Sequence, residues 1–254
     1  MQKSIRMIFK ITSLSFILNS VAYAGVCDDD QVVNKVLKQA KITKAEQSLI
    51  NCKSDPVDDL TMIMAYAQWI SVKDRPEEGE YVLDLFKFSP RNLKVVDHYR
   101  VIEPLVSDAI SLDSIELDTA NYKVTESNRA LGLRLNYSGH SQPNPFSMQL
   151  LNLYDLKNKK QILDSLIVTR DRAETDMHCN ADAEERTSTL VMQKNQTKKY
   201  TDILVNSKIK RYQTQVIAEE CQEVNHRFSQ QHFILKFDGK QYQLPQSYKD
   251  EYQY

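Results

Sequence analysis

Two short stretches of the chain hold residues that could do chemistry. The first is Ser138-Gly139-His140-Ser141-Gln142-Pro143-Asn144-Pro145, where a histidine, two serines and two amides share one turn-rich segment. A serine nucleophile needs a base within hydrogen-bond reach and, in its strained-elbow form, a glycine on each side of the serine at fixed spacing. Gly139-His140-Ser141-Gln142-Pro143 supplies the first glycine and lacks the second, so hydrolysis at Ser141 has little motif support. Loops beside ordered strands commonly carry binding. His140, Ser141, Gln142 and Asn144 are therefore read as a partner-contact loop, with a turn as the plainer explanation.

The second stretch runs from Asp176 to Glu185. Oxygens of Asp176, Asn180, Asp182 and Glu184 could surround a calcium ion. The spacing is not that of an EF-hand loop and the central glycine is missing, so a solvated acidic loop explains the same residues. His98, His140, His178, His226 and His232 form no His-Glu-x-x-His and no close histidine pair, which leaves zinc hydrolysis unsupported. Five glycines in 254 residues are too few for a phosphate-cradling loop. No catalytic residue, metal site or cofactor is assigned.

Cysteine usage is more informative. Cys27, Cys52, Cys179 and Cys221 make an even count, which in an oxidising compartment argues for two disulfides. The preferred pairing is Cys27–Cys52 and Cys179–Cys221, each within one proposed region. No Cys-x-x-Cys pair suggests zinc. Cys179 follows His178 directly, but neighbours on a strand point to opposite faces, so adjacency does not make a nucleophile and base.

Residues 1–24 read as a cleaved signal peptide: Lys3, Arg6 and Lys10, then an apolar run around Leu14, Phe16, Ile17 and Leu18, then Ala22-Tyr23-Ala24. The expected compartment is the bacterial periplasm, with no integral membrane span after cleavage. Those residues carry three basic and no acidic side chains. The remainder therefore has 30 basic against 34 acidic residues, a net charge of −4. No basic block interleaved with aromatics occurs, so nucleic acid is not an expected partner.

The elements that must position these residues fall into two regions. Residues 25–112 read as helices. Asp28 with Gln31 forms a capping box ahead of Val33, Val36, Leu37 and Ala40; Thr43 with Glu46 repeats it; Asp55-Pro56 and Asp74-Arg75-Pro76 mark further starts. Leu60, Ile63, Ala67 and Ile70 form a stripe that Met62, Met64, Tyr66 and Trp69 widen until the segment is apolar nearly all round. That widened face is either core or a groove for a partner segment. Tyr81, Val82, Leu85 and Phe88, then Val95, Val96, Tyr99 and Ile102, give two more stripes.

Residues 113–254 read as antiparallel strands. Leu131, Leu133, Leu135 and Tyr137 alternate with small or polar residues, the pattern of a strand with one dry face. Runs at 150–153, 162–168, 200–205 and 209–218 come next, the last two joined at Asn206-Ser207-Lys208. Phe233, Leu235 and Phe237, then Asp238-Gly239 as a two-residue turn, then Tyr242 and Leu244, read as a closing hairpin with Leu235 opposite Tyr242. The fold class expected is α+β: an N-terminal helical bundle or hairpins followed by an antiparallel β-sandwich or curved sheet. The function expected is a non-enzymatic interaction protein, an inhibitor or immunity-type partner of an envelope-acting enzyme. A periplasmic hydrolase with a non-standard site and a small-ligand carrier are the alternatives.

Overall fold

The structure is a computed structural model and describes residues 25–250. The signal-peptide reading of residues 1–24 lies outside the described residues. Of the described residues 66% are strand and 8% helix, in two antiparallel sheets. The expected α+β fold with an N-terminal helical region is therefore corrected. Among the described residues helix is confined to α1 (Asp30–Gln39), the five-residue α2 (Gln246–Asp250) and a 3-10 turn at Val26–Asp28.

Only the first helix signal leads to a helix, and its cap is Asp29, whose carboxylate accepts the N–H of Gln31 at 2.8 Å. Val33, Val36 and Leu37 form its buried face. The other stripes are strands β1 (Ser48–Ser54), β2 (Met62–Val72), β3 (Arg75–Phe88), β4 (Val95–Arg100) and β5 (Leu105–Val106). They make one sheet in the order β1-β2-β3-β4, with β5 paired to β3.

The reason for the difference lies in burial on both faces. Ile63, Ala65 and Ala67 of β2 point to one core; Met62, Met64 and Tyr66 point to another, under α1. A strand covered on both sides loses its alternation and reads as a continuous apolar run, as a buried helix does. In β3 the same holds for Tyr81, Leu83 and Leu85 against Phe86 and Phe88. The expected helix starts are turns. Asp55 is a buried carboxylate that accepts the N–H of Val57 at 2.9 Å and pairs with Lys87 at 2.7 Å. Asp74, with φ of 66°, closes the tight turn that sets Val72 opposite Arg75. The apolar face containing Met62, Met64 and Tyr66 is covered by the chain's own α1.

The second sheet has eight strands side by side: β6 (Ile110–Thr125), β7 (Asn128–Gly139), β8 (Phe146–Asp155), β9 (Lys160–Thr175), β10 (Ala181–Thr197), β11 (Tyr200–Ile217), β12 (Glu220–Phe237) and β13 (Tyr242–Gln243). The two strands expected at 200–205 and 209–218 are one, since Asn206, Ser207 and Lys208 all pair within β11. The closing hairpin has a four-residue turn, because the Asp238 carboxylate accepts the N–H of Lys240 and of Gln241 while Gly239 takes φ of +113°. Phe237, not Leu235, therefore faces Tyr242.

The sheet curls. Leu112, Ile115 and Leu117 of β6 pack on the first sheet, whereas Tyr122 and Val124 join a second core with Ile203, Val205 and Leu235. The change of direction falls at a bulge between Asp118 and Tyr122, which Asp118 braces by accepting from Ala120 N–H, Tyr122 Oη–H and Arg134. Strands β9 and β10 pair only over 169–175 and 181–187, then diverge. Tyr248 of α2 enters the second core, its hydroxyl accepting the N–H of Ile167 at 2.6 Å.

Cys27 is bonded to Cys52 and Cys179 to Cys221. The region holding the first pair is not helical as expected: Cys52 sits on β1, and the bond ties the turn before α1 to the sheet that α1 covers. The second closes 42 residues and clamps the tip of β12 to the turn before β10. Replacing Cys179 and Cys221 by serine is expected to lower stability by about 2–4 kcal/mol through the freed unfolded chain. Urea unfolding of the double variant reads the loss.

Candidate functional site

Strands β8 to β12 extend past the second core as a wall, and the loop from His140 to Pro145, between β7 and β8, stands against it. Backbone carbonyls of Pro143 and Pro145 accept the N–H groups of Thr175 and Ala173 at 2.8 and 3.1 Å, which fixes the loop to the end of β9. Between loop and wall lies an open groove of about 700 Å³, within the size range of ligand sites. His140, Ser141 and Asn144 line it; Gln142, the fourth residue of the expected contact loop, is exposed and does not.

Strand register writes the groove floor. Phe146 faces Arg172, Arg172 faces Glu184, Glu184 faces Arg211 and Arg211 faces Arg227, one row across five strands. Directly opposed residues share a face, so these side chains stand together. Glu184 is the hub. It is 4% exposed and receives Arg170 at 2.5 Å, Arg211 at 2.6 Å and Arg172 at 3.4 Å. Burial pushes its carboxyl up, but hydrogen bonds from Arg170 and Arg211 and the charge of Arg172 outweigh that and hold it at about 2. Arg170 and Arg186 are buried beneath the floor, while Arg172 and Arg211 are about half exposed to the groove. At the far end Asp182 accepts the Gln213 amide at 2.8 Å, and Gln213 accepts from Asn225 at 2.6 Å.

The expected sites are rearranged accordingly. Glu184 and Asp182 belong to the groove floor, not to a cation loop. Asp176 closes on its own turn, accepting the N–H groups of His178 and Asn180 and the Asn180 side-chain amide. No group of three or more His, Cys, Asp or Glu side chains suited to a metal occurs among the described residues. His140 does not face Ser141: its Nε2 lies 2.7 Å from Ser111 Oγ, and the hydroxyl of Ser141 accepts from Asn144. His98 binds the fully buried Asp84 at 2.7 Å, beside Arg100, and its ring stacks on Phe86. A second recess, between the sheets, is lined by Asp55, Lys87 and Asp118, which ion pairs within the fold already engage.

Sequence reasoning missed Arg172, Arg211 and Arg227, which come from three strands and meet only through pairing. Among the described residues no helix is long and apolar enough to cross a membrane. Two disulfides fit an oxidising compartment. Comparison with protein-family models, curated proteins and solved structures finds no match.

Proposed function

We propose that this chain is a non-enzymatic binding protein of the bacterial periplasm and that the groove beneath the His140–Pro145 loop is where its partner docks. The carrying observation is the pairing of an anchored loop with a charged floor. The loop contributes His140, Ser141 and Asn144, polar side chains suited to hydrogen bonding. The floor contributes half-exposed arginines held in place by a buried carboxylate. Such a surface is preorganised, so binding orders few further side chains. The expected class of partner is another envelope protein, in an inhibitor or immunity-type relation.

Site-specific photo-crosslinking in periplasm-expressing cells tests this. A photoreactive residue at Asn144 is expected to give one discrete adduct, and the same residue at Lys210 on the opposite face of the wall none. No adduct from Asn144, or equal adducts from both positions, would reject the groove as the docking face.

One contact favours a second reading, a hydrolase that uses Ser111 instead of Ser141. Ser111 Oγ and His140 Nε2 lie within hydrogen-bond reach at the rim of the groove. A fluorophosphonate probe should then label Ser111, with labelling abolished in both Ser111→Ala and His140→Ala. An unlabelled wild-type protein removes this reading.

A further inference from the structure

Resting on the groove as the docking face, we infer that it receives an extended acidic segment of the partner, with a carboxylate seated between Arg211 and Arg227. Arg211 and Arg227 are directly opposed on adjacent strands, a like-charge pairing that is unfavourable unless an anion lies between the two guanidiniums. The one carboxylate in contact, Glu184, is shared by Arg170, Arg172 and Arg211. Arg227 lines the groove and has no ion pair or hydrogen bond among the described residues. Glu174, Asp182 and Glu184 also line the groove. Arg172, Arg211 and Arg227 line it too, and Glu184 is engaged by buried Arg170 as well as by Arg172 and Arg211, so among the described residues no carboxylate of the floor reaches Arg227.

The backbone beside Arg227 suits an extended ligand. β13 pairs only with Lys236 and Phe237, so among the described residues β12 from Arg227 to Ile234 has no second neighbouring strand. An unpaired edge of this kind accepts an added strand through main-chain hydrogen bonds. The run Arg227-Phe228-Ser229-Gln230-Gln231-His232-Phe233-Ile234 contains no acidic residue to repel an acidic strand. A strand laid along it would point alternate side chains to the groove face, on which Arg227 and Arg211 stand. Guanidinium and carboxylate match in planar, two-point geometry.

Fluorescence anisotropy with two labelled octapeptides, alternating Glu-Ser and alternating Gln-Ser, tests the inference on the oxidised mature protein at physiological ionic strength. The acidic peptide is expected to bind saturably and the neutral one roughly tenfold more weakly or worse, the scale of a lost charge-assisted hydrogen bond. Arg227→Gln should weaken the acidic peptide by a similar factor while leaving the unfolding transition in place. Arg211→Gln should do the same, and Arg227→Gln stays decisive if that variant is unstable. Equal binding of both peptides with no effect of Arg227→Gln would overturn the acidic segment and leave the groove as docking face. Saturable binding of inorganic phosphate or of phosphatidylglycerol vesicles with no binding of the acidic peptide would overturn it in favour of a phosphate oxyanion. Absence of all binding would overturn it too, and the Asn144 crosslink then decides the groove separately.

Discussion

Glu184→Ala is expected to destabilise the protein by about 3–5 kcal/mol at neutral pH, the scale for removing one partner of a buried ion pair. The carboxylate is 4% exposed and the nearest guanidinium, that of Arg170, is fully buried. Taking the carboxylate away removes an ion-pair partner of that buried charge and of Arg172 and Arg211, and leaves the arginines of the groove floor repelling one another. Glu184→Gln keeps the shape and one of the two acceptor oxygens, so it should lose less than the alanine variant while still losing the charge and one acceptor.

The pH dependence gives this prediction its sign. The carboxyl sits at about 2 in the folded protein against 4.5 ordinarily. A folded value below the unfolded one means stabilisation that is present in full above the unfolded value and is lost as pH falls through the folded value. The difference corresponds to about 3 kcal/mol. Urea unfolding of wild type and Glu184→Ala at neutral pH and at steps from pH 5 to pH 2 should show the gap narrowing as the pH drops. A gap that stays constant across that window would assign the loss to packing and remove the charge from the explanation.

Phe86→Ala is the second large effect, about 3–5 kcal/mol. The ring is 1% exposed and lies between the first sheet and α1, among Val33, Val36, Leu37 and Tyr66, and it stacks on His98 at 4.4 Å. Neither the helix nor the strand can close the space left behind, because Cys27–Cys52 fixes the turn before α1 to β1. The urea midpoint should fall accordingly. A loss below about 1 kcal/mol, the scale of a surface substitution, would mean that α1 does not cover this face.

These two residues mark how much was legible in the sequence. Strands with one wet face announced themselves: Leu131, Leu133 and Leu135 alternate because Gly132, Arg134 and Asn136 lie on the other side. Phe86 belongs to the part that misled. In β2 and β3 both faces are dry, so the period of two disappears, and residues from two different cores combine into an apparent helical stripe. Acidic and proline residues at turns then look like helix caps. The local chemistry is the same, since an Asx turn and an N-cap both use a carboxylate to accept a nearby N–H.

The arginine row was hidden for another reason. An unbroken hairpin through the turn at Lys198-Lys199 would set Glu184 against Gln213; the irregularity between Met192 and Gln196 shifts the register and brings Arg211 there instead. A second irregularity, where Asn225 takes φ of 54°, places Arg227 beside Arg211. Bulges carry no reliable residue signature, yet each one changes which side chains meet. The loop residues His140, Ser141 and Asn144 could be nominated because they are contiguous. The floor they face could not.

Because the eight strands lie side by side in chain order, each can add to the one completed just before it, closing only a short turn at every step. The contacts that curl β6 towards β10 and β11 join distant segments and must wait until those strands exist. Growth of this kind has a front, and the front ends on β12. The two residues of β13 stop it over a small fraction of its length, so among the described residues the run from Phe228 to Ile234, which holds no Lys, Arg, Asp or Glu, stays a template after folding is complete. At high concentration that edge is where one molecule would begin to recruit the next.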